Sequence, residues 1–159
     1  MIKVRSIENL QKALSMELTA THQYQLHAGV LDDWGLNLLA TKMREEMTEE
    51  LGHSDTFMNR IMFLHGEPEM TLDASPHLSK SLKEMFEKDL ADEKEAVEFY
   101  TKASKEASDD GDIGTKAIFE QTVIDEEQHA SWLELQLDLL EKLGESVYIA
   151  KHMSEPSAG

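Results

Sequence analysis

The chain has 159 residues, enough for one domain with a core of its own. Its 32 acidic and 15 basic residues give a formal charge of −17, so its surface repels nucleic acid and anionic membranes and attracts cations. There is no cysteine, which excludes disulfides, thiolate zinc sites and iron–sulfur ligation.

Four long periodic segments and a short one follow in chain order. The first spans Ser6 to Asp33, with Ser6 as expected N-cap. Its stripe of Ile7, Leu10, Leu14, Glu17, Thr21, Tyr24, Ala28 and Leu31 steps by three and four. The second spans Leu36 to His65 and carries Leu39, Met43, Met47, Glu50, Ser54, Phe57 and Ile61 on one face. The third spans Ser79 to Ser108 (Leu82, Phe86, Leu90, Glu93, Val97, Tyr100). The fourth spans Asp112 to Leu143 (Ile118, Thr122, Glu126, His129, Leu133, Gln136). A short helix over Glu145 to His152 and a frayed tail over about 153–159 end the chain. Trp34-Gly35 and the link through Gly111 are tight, so segments one and two pair antiparallel, as do three and four. The Gly66 to His77 link holds Pro68 and Pro76 and is long enough to run the length of the bundle. The expectation is an all-α bundle of four helices with one long crossover, residues 1–159 forming a single domain.

No apolar run approaches the roughly 20 residues of a membrane span. Met1 to Arg5 lacks the apolar stretch of a secretory signal. The expected location is cytoplasmic.

Each apolar stripe contains a glutamate: Glu17, Glu50, Glu93 and Glu126. Four carboxylates facing one core would repel one another and pay a heavy desolvation penalty unless cations join them. His53 follows Glu50 by three and His129 follows Glu126 by three, so each E-x-x-H pair can reach one metal from one helix face. Either motif alone is a weak signal. The placement is stronger: adding 76 carries Glu17 onto Glu93, Tyr24 onto Tyr100, Glu50 onto Glu126 and His53 onto His129. The two hairpins read as copies about a pseudo-two-fold axis. One Glu from each of two helices and Glu-x-x-His from each of the others is the known ligand set of carboxylate-bridged di-iron bundles. The bland alternative puts all four glutamates on the surface, with the stripes misphased by one residue.

For Tyr24 and Tyr100 the simple reading is a core aromatic whose hydroxyl bonds a ligand carboxylate, and the sharper one is a redox role. His22, His27, His65, His77 and His152 lack a partner in the symmetric pattern and are expected at the surface or at helix ends. Glu45, Glu46 and Glu49 are expected on a solvated face; a mineral-nucleating inner surface is the sharper reading.

From about Ile7 to Tyr148 the chain resembles the bacterioferritins of the ferritin-like superfamily. The resemblance rests on ELTATHQYQLH from Glu17, Trp34-Gly35, EELGHSD from Glu49, RIMFLHG from Arg60 and DEEQHASWLELQL from Asp125. It implies a 24-subunit hollow shell, an iron store inside it and a ferroxidase site in each subunit, using O2 or H2O2. By the resemblance, Glu50 and Glu126 bridge two irons, Glu17 and His53 complete one, and Glu93 and His129 the other. Tyr24 and Trp132 match aromatic positions near the centre. The sequence departs at one place. The family holds haem through a methionine directly after the first bridging glutamate, and here that residue is Leu51, with Met47 one turn earlier. This implies a haem-free shell or co-assembly with a haem-binding, methionine-bearing subunit. A rubrerythrin-like di-iron peroxidase without storage and a structural shell subunit are the rival functions. The first usually adds a cysteine-ligated iron module that this chain cannot supply.

Overall fold

The computed structural model describes residues 3–153. Five helices follow one another: α1 (Val4–Asp33), α2 (Asn37–Phe63), α3 (Leu82–Asp109), α4 (Ile113–Leu143) and the short α5 (Glu145–His152). α1 packs against α2 and α3 against α4, and the 64–81 stretch crosses over between the hairpins. Most of the proposed tail lies outside the described residues.

The hairpin links repeat with the same offset of 76. Gly35 and Gly111 both sit at positive φ, 81° and 71°, where a side chain would be strained. Leu36 N donates to Leu31 O and Asp112 N to Ala107 O, both at 2.8 Å. This closure ends each first helix and aims the next one back along it.

Two helix starts differ from expectation. α1 begins at Val4, and Ser6 is buried inside its first turn rather than capping it. Instead, Arg5 forks onto the Asp110 carboxylate (2.8 Å twice) and Lys3 Nζ reaches Asp110 O, pinning that end to the α3–α4 link. α3 begins at Leu82, not Ser79. Ser81 Oγ caps the Glu84 amide at 3.1 Å, and the Glu84 side chain accepts from Lys80 N, in the manner of a capping box.

The crossover has no ladder of its own, so its backbone groups need other partners. They find them on one stripe of α1. Gln11 bonds both backbone groups of Glu69, Thr19 Oγ1 accepts from Asp73 N at 2.7 Å, and Gln23 bonds both backbone groups of His77. Beneath this seam lies His27, expected at the surface and in fact fully buried. His77 N donates to Gln23 Oε1, so the Gln23 amide nitrogen faces His27 Nε2 at 2.9 Å as donor. The His27 Nδ1–H then points at Asp89 Oδ2, 3.0 Å away, with Ser79 Oγ also on Nε2. Burial pushes Asp89 up to about 6, although His27 opposes the shift.

The apolar core is in two parts. One gathers Leu31, Leu39, Met43, Phe86 and Leu133, with Tyr148 of α5 bonding Gln136. The other gathers Leu10, Leu14, Phe57, Ile61 and Phe119. Along every long helix the residues between the two parts are the glutamates of the polar layer.

Candidate metal centre

All six inward residues predicted from the sequence meet in that layer. Glu17, Glu50, Glu93 and Glu126 are 1–3% exposed and His129 is 5% exposed, while His53 is half-buried. The surface alternative for the four glutamates is thereby overturned. His53 Nδ1 stands 3.1 Å from Glu126 Oε1, 3.6 Å from Glu17 Oε1 and 3.8 Å from Glu50 Oε1. Its counterpart repeats the pattern: His129 Nδ1 stands 3.1 Å from Glu50 Oε1, 3.6 Å from Glu93 Oε1 and 3.8 Å from Glu126 Oε1. Two groups of ligand atoms result, each within 4.8 Å of one another. One is Glu17, Glu50, His53 and Glu126; the other is Glu50, Glu93, Glu126 and His129. Glu50 and Glu126 belong to both, as bridging carboxylates must.

The tyrosines are crossed between the halves. Tyr100 OH donates to Glu17 Oε1 and Tyr24 OH to Glu93 Oε1, both at 2.6 Å. These are core aromatics with a hydroxyl on a carboxylate, as the simple reading had it. Trp132 packs edge-on against Phe86 and under the Lys42 ammonium.

Sequence reasoning missed two outer partners. His53 Nε2 meets Asp125 Oδ2 at 2.9 Å, and His129 Nε2 meets Glu49 Oε2 at 2.7 Å. Glu49 plus 76 is Asp125, so the repeat that exposed the inner residues also carried these. Carboxylates behind each imidazole accept from Nε2 and turn Nδ1 toward the layer, where it can ligate once its own proton has left. Glu46 also reaches His129 Nε2, at 2.5 Å, and is buried rather than solvated; Glu45 and Glu49 are exposed as expected.

Charge accounts for the proton affinities. Burial, then the negative fields of Glu17, Glu126 and Glu93, push Glu50 well above the usual carboxylate range; burial and the Glu17 and Glu93 charges do the same to Glu126. Burial opposes protonation of the histidines, yet Glu126 and Glu17 hold His53 up at about 11, and Glu46 and Glu93 hold His129 at about 12. Glu17 Oε2, Glu50 Oε1, Glu93 Oε2, Glu126 Oε1 and both Nδ1 atoms are buried without a hydrogen-bond partner. Orphaned acceptors in buried acidic surroundings fit divalent cations, with hard oxygen and borderline nitrogen donors suited to iron.

The ferritin-like domain family matches residues 7–143. A bacterioferritin of Brucella melitensis is 44% identical over 143 residues, 89% of this chain and 88% of that one. The chain belongs to the bacterioferritin family. The Rhodobacter capsulatus bacterioferritin structure, described as having a metal-free dinuclear site and haem iron, superposes with a TM-score of 0.95. It is 39% identical and covers 99% of this chain and 98% of its own. The Mycobacterium tuberculosis bacterioferritin superposes at 0.92 with 35% identity, covering 96% of each chain. The bacterioferritin fold is thus the fold of this chain, and with the family come iron storage and a ferroxidase di-iron site.

The position to which the resemblance assigns the haem ligand carries no ligating atom. Leu51 lies outward on α2, 48% exposed, and its hydrocarbon side chain offers no lone pair to iron.

Proposed function

We propose that this bacterioferritin binds two Fe(II) as substrate between its four inward carboxylates and two histidines and oxidises them for storage. Glu50 and Glu126 bridge; Glu17 with His53 and Glu93 with His129 complete the two positions. The observation that carries this reading is the pair of overlapping ligand groups sharing Glu50 and Glu126.

Two Fe(II) deliver two electrons, enough to take O2 to H2O2 or H2O2 to water. The chain supplies geometry and charge. As the cations enter, Glu50 and Glu126 and the two imidazolium groups of His53 and His129 release their protons to water, and four carboxylates with two neutral imidazoles then balance four positive charges. Asp125 and Glu49 hold the imidazoles so that Nδ1 stays turned inward. Tyr24 and Tyr100 fix the Glu93 and Glu17 carboxylates by short hydrogen bonds. The acidic surface concentrates cations around the protein.

The proposed assembly is a shell of 24 copies in the cytoplasm. With Leu51, a copy brings no haem ligand of its own at that position, and haem in the shell would come with a second, methionine-bearing subunit. Matches to bacterioferritins along nearly their whole length favour storage over the rubrerythrin-like peroxidase or a purely structural shell subunit.

Anaerobic titration of the metal-free protein with Co(II), followed by its visible absorption, tests the site. The expected break is at two ions per chain, and it is lost in the Glu50→Gln/Glu126→Gln double variant. Two ions bound equally well by that variant would place the metal elsewhere.

A further inference from the structure

The inward carboxylates are not sealed from solvent. A cavity of about 240 Å³ reaches them between α1, α3 and the crossover. Glu17, Glu50, Glu93 and Glu126 line its floor, and Glu17 and Glu93 each carry a buried, unpartnered Oε2. Asp73 of the crossover and Lys88, Asp92 and Glu95 of α3 line its rim, all exposed or half-exposed. One water needs only about 10–15 Å³ of such space, so a cation with part of its water shell fits.

The rim is built and charged. Thr19 Oγ1 holds the crossover lip through Asp73 N, and Lys12 Nζ neutralises the Asp73 carboxylate at 2.7 Å. Among the described residues lining the cavity, Lys88 is the only cation. Its ammonium sits on Asp92 Oδ1 at 3.0 Å, and Asp92 is one residue before the floor ligand Glu93. Lysine N-terminal to aspartate at four residues is the weaker order for helix support. A pair this exposed contributes little to stability, so Lys88 can swing aside at small cost.

We propose that this cavity is the route by which aqueous Fe(II) reaches the buried site, and that the Lys88–Asp92 pair gates it. The proposal rests on the ferroxidase reading above. Asp92 is the rim carboxylate next to the ligand Glu93 on α3, and Lys88 competes for it. Removing the ammonium opens the route; removing the carboxylate frees the ammonium to stand in it. A neutral oxidant feels neither change.

Stopped-flow oxidation of limiting Fe(II) by the full-length assembled protein at low ionic strength tests this, with equilibrium Co(II) binding measured alongside. The fast phase should quicken by roughly twofold or more in Lys88→Gln and slow by a similar factor in Asp92→Asn. Lys102→Gln, an equal charge change at a lysine that does not line the cavity, should leave it unchanged. The differences should shrink toward 1 M salt, where the screening length is about 3 Å. Unchanged rates in both rim variants, with two Co(II) still bound per chain, would overturn the route and leave the site reading intact. An equal response in Lys102→Gln would overturn a local gate. A wild-type protein that binds no Co(II) at the site would overturn the site reading and this proposal with it.

Discussion

Eight buried side-chain atoms lack a hydrogen-bond partner among the described residues, and six of them belong to Glu17, Glu50, His53, Glu93, Glu126 and His129. Orphaned buried polar atoms cost about 1–3 kcal/mol each, so their concentration in one layer needs a ligand to account for it. The outer carboxylates orient the histidines. Glu49→Gln with Asp125→Asn should weaken Co(II) binding by roughly 10- to 100-fold while helix content stays the same; unchanged affinity would remove their orienting role. The four glutamates were legible because each interrupts an apolar stripe, and the histidines and tyrosines because they repeat at 76; which tyrosine bonds which glutamate was not. Glu49 and Asp125 obey the same offset, but Glu49 reads as part of the acidic run with Glu45 and Glu46, and neither lies on an apolar stripe. His27 was not legible: its partner Asp89 is 62 residues away on another helix, and no periodicity links them. Asp89 gives a pH test. Its proton affinity is raised by burial from 3.8 to about 6, so its contribution to stability is full below pH 4 and is lost as pH rises through 6. A shift of about two units corresponds to at most about 3 kcal/mol. Asp89→Asn should therefore gain stability relative to wild type between pH 4 and 7, read by urea midpoints at each pH. A constant difference across that range would contradict the assignment.

At the level of elements, the helix boundaries show where periodicity stops informing. All four long helices and α5 were legible from stripe and breaker. Local pattern puts the cap at Ser6, but the start of α1 is tied down by distant charges, Arg5 on Asp110, which no local pattern contains. The start of α3 was carried by Ser81 and Glu84, three residues apart, a signal that outweighs Ser79. The start of α4 at Asp112 is capped strongly. Its carboxylate accepts from Thr115 N and Oγ1 and from Arg60 Nη2. Burial alone would raise its proton affinity, but these bonds hold it down at about 2. Its stabilisation is present above the ordinary carboxylate value and is lost as pH falls toward 2. Asp112→Ala removes an N-cap and the ion-pair partner of Arg60 Nη2, which should cost about 2 kcal/mol in a denaturant melt at neutral pH; a loss under about 0.5 kcal/mol would show the cap to be redundant.

For the whole molecule, the two apolar cores are separated by a layer in which like charges meet, and the fold therefore gains most where cations bind. At a free metal concentration of 1,000 times the dissociation constant the gain is about 4 kcal/mol, or about 10 °C in melting temperature for a chain of this size. Glu50→Gln/Glu126→Gln should abolish that rise. It should also leave the metal-free protein at least as stable as wild type, since burial and the neighbouring charges already favour the neutral form that glutamine mimics. A metal-free wild type that melts no lower than the metal form would contradict a buried site. The long crossover was legible as a link, but its seam on α1 was not, because it pairs side chains with irregular backbone and leaves no period of its own.

The most direct test of storage by oxidation is titration of the metal-free assembled protein with Fe(II) in air, followed by ferric absorbance. The account predicts a fast phase that breaks at two irons per chain, then slower soluble uptake far beyond that ratio. Uptake that stops at two would remove storage, and the absence of a fast phase would contradict oxidation at the di-iron site.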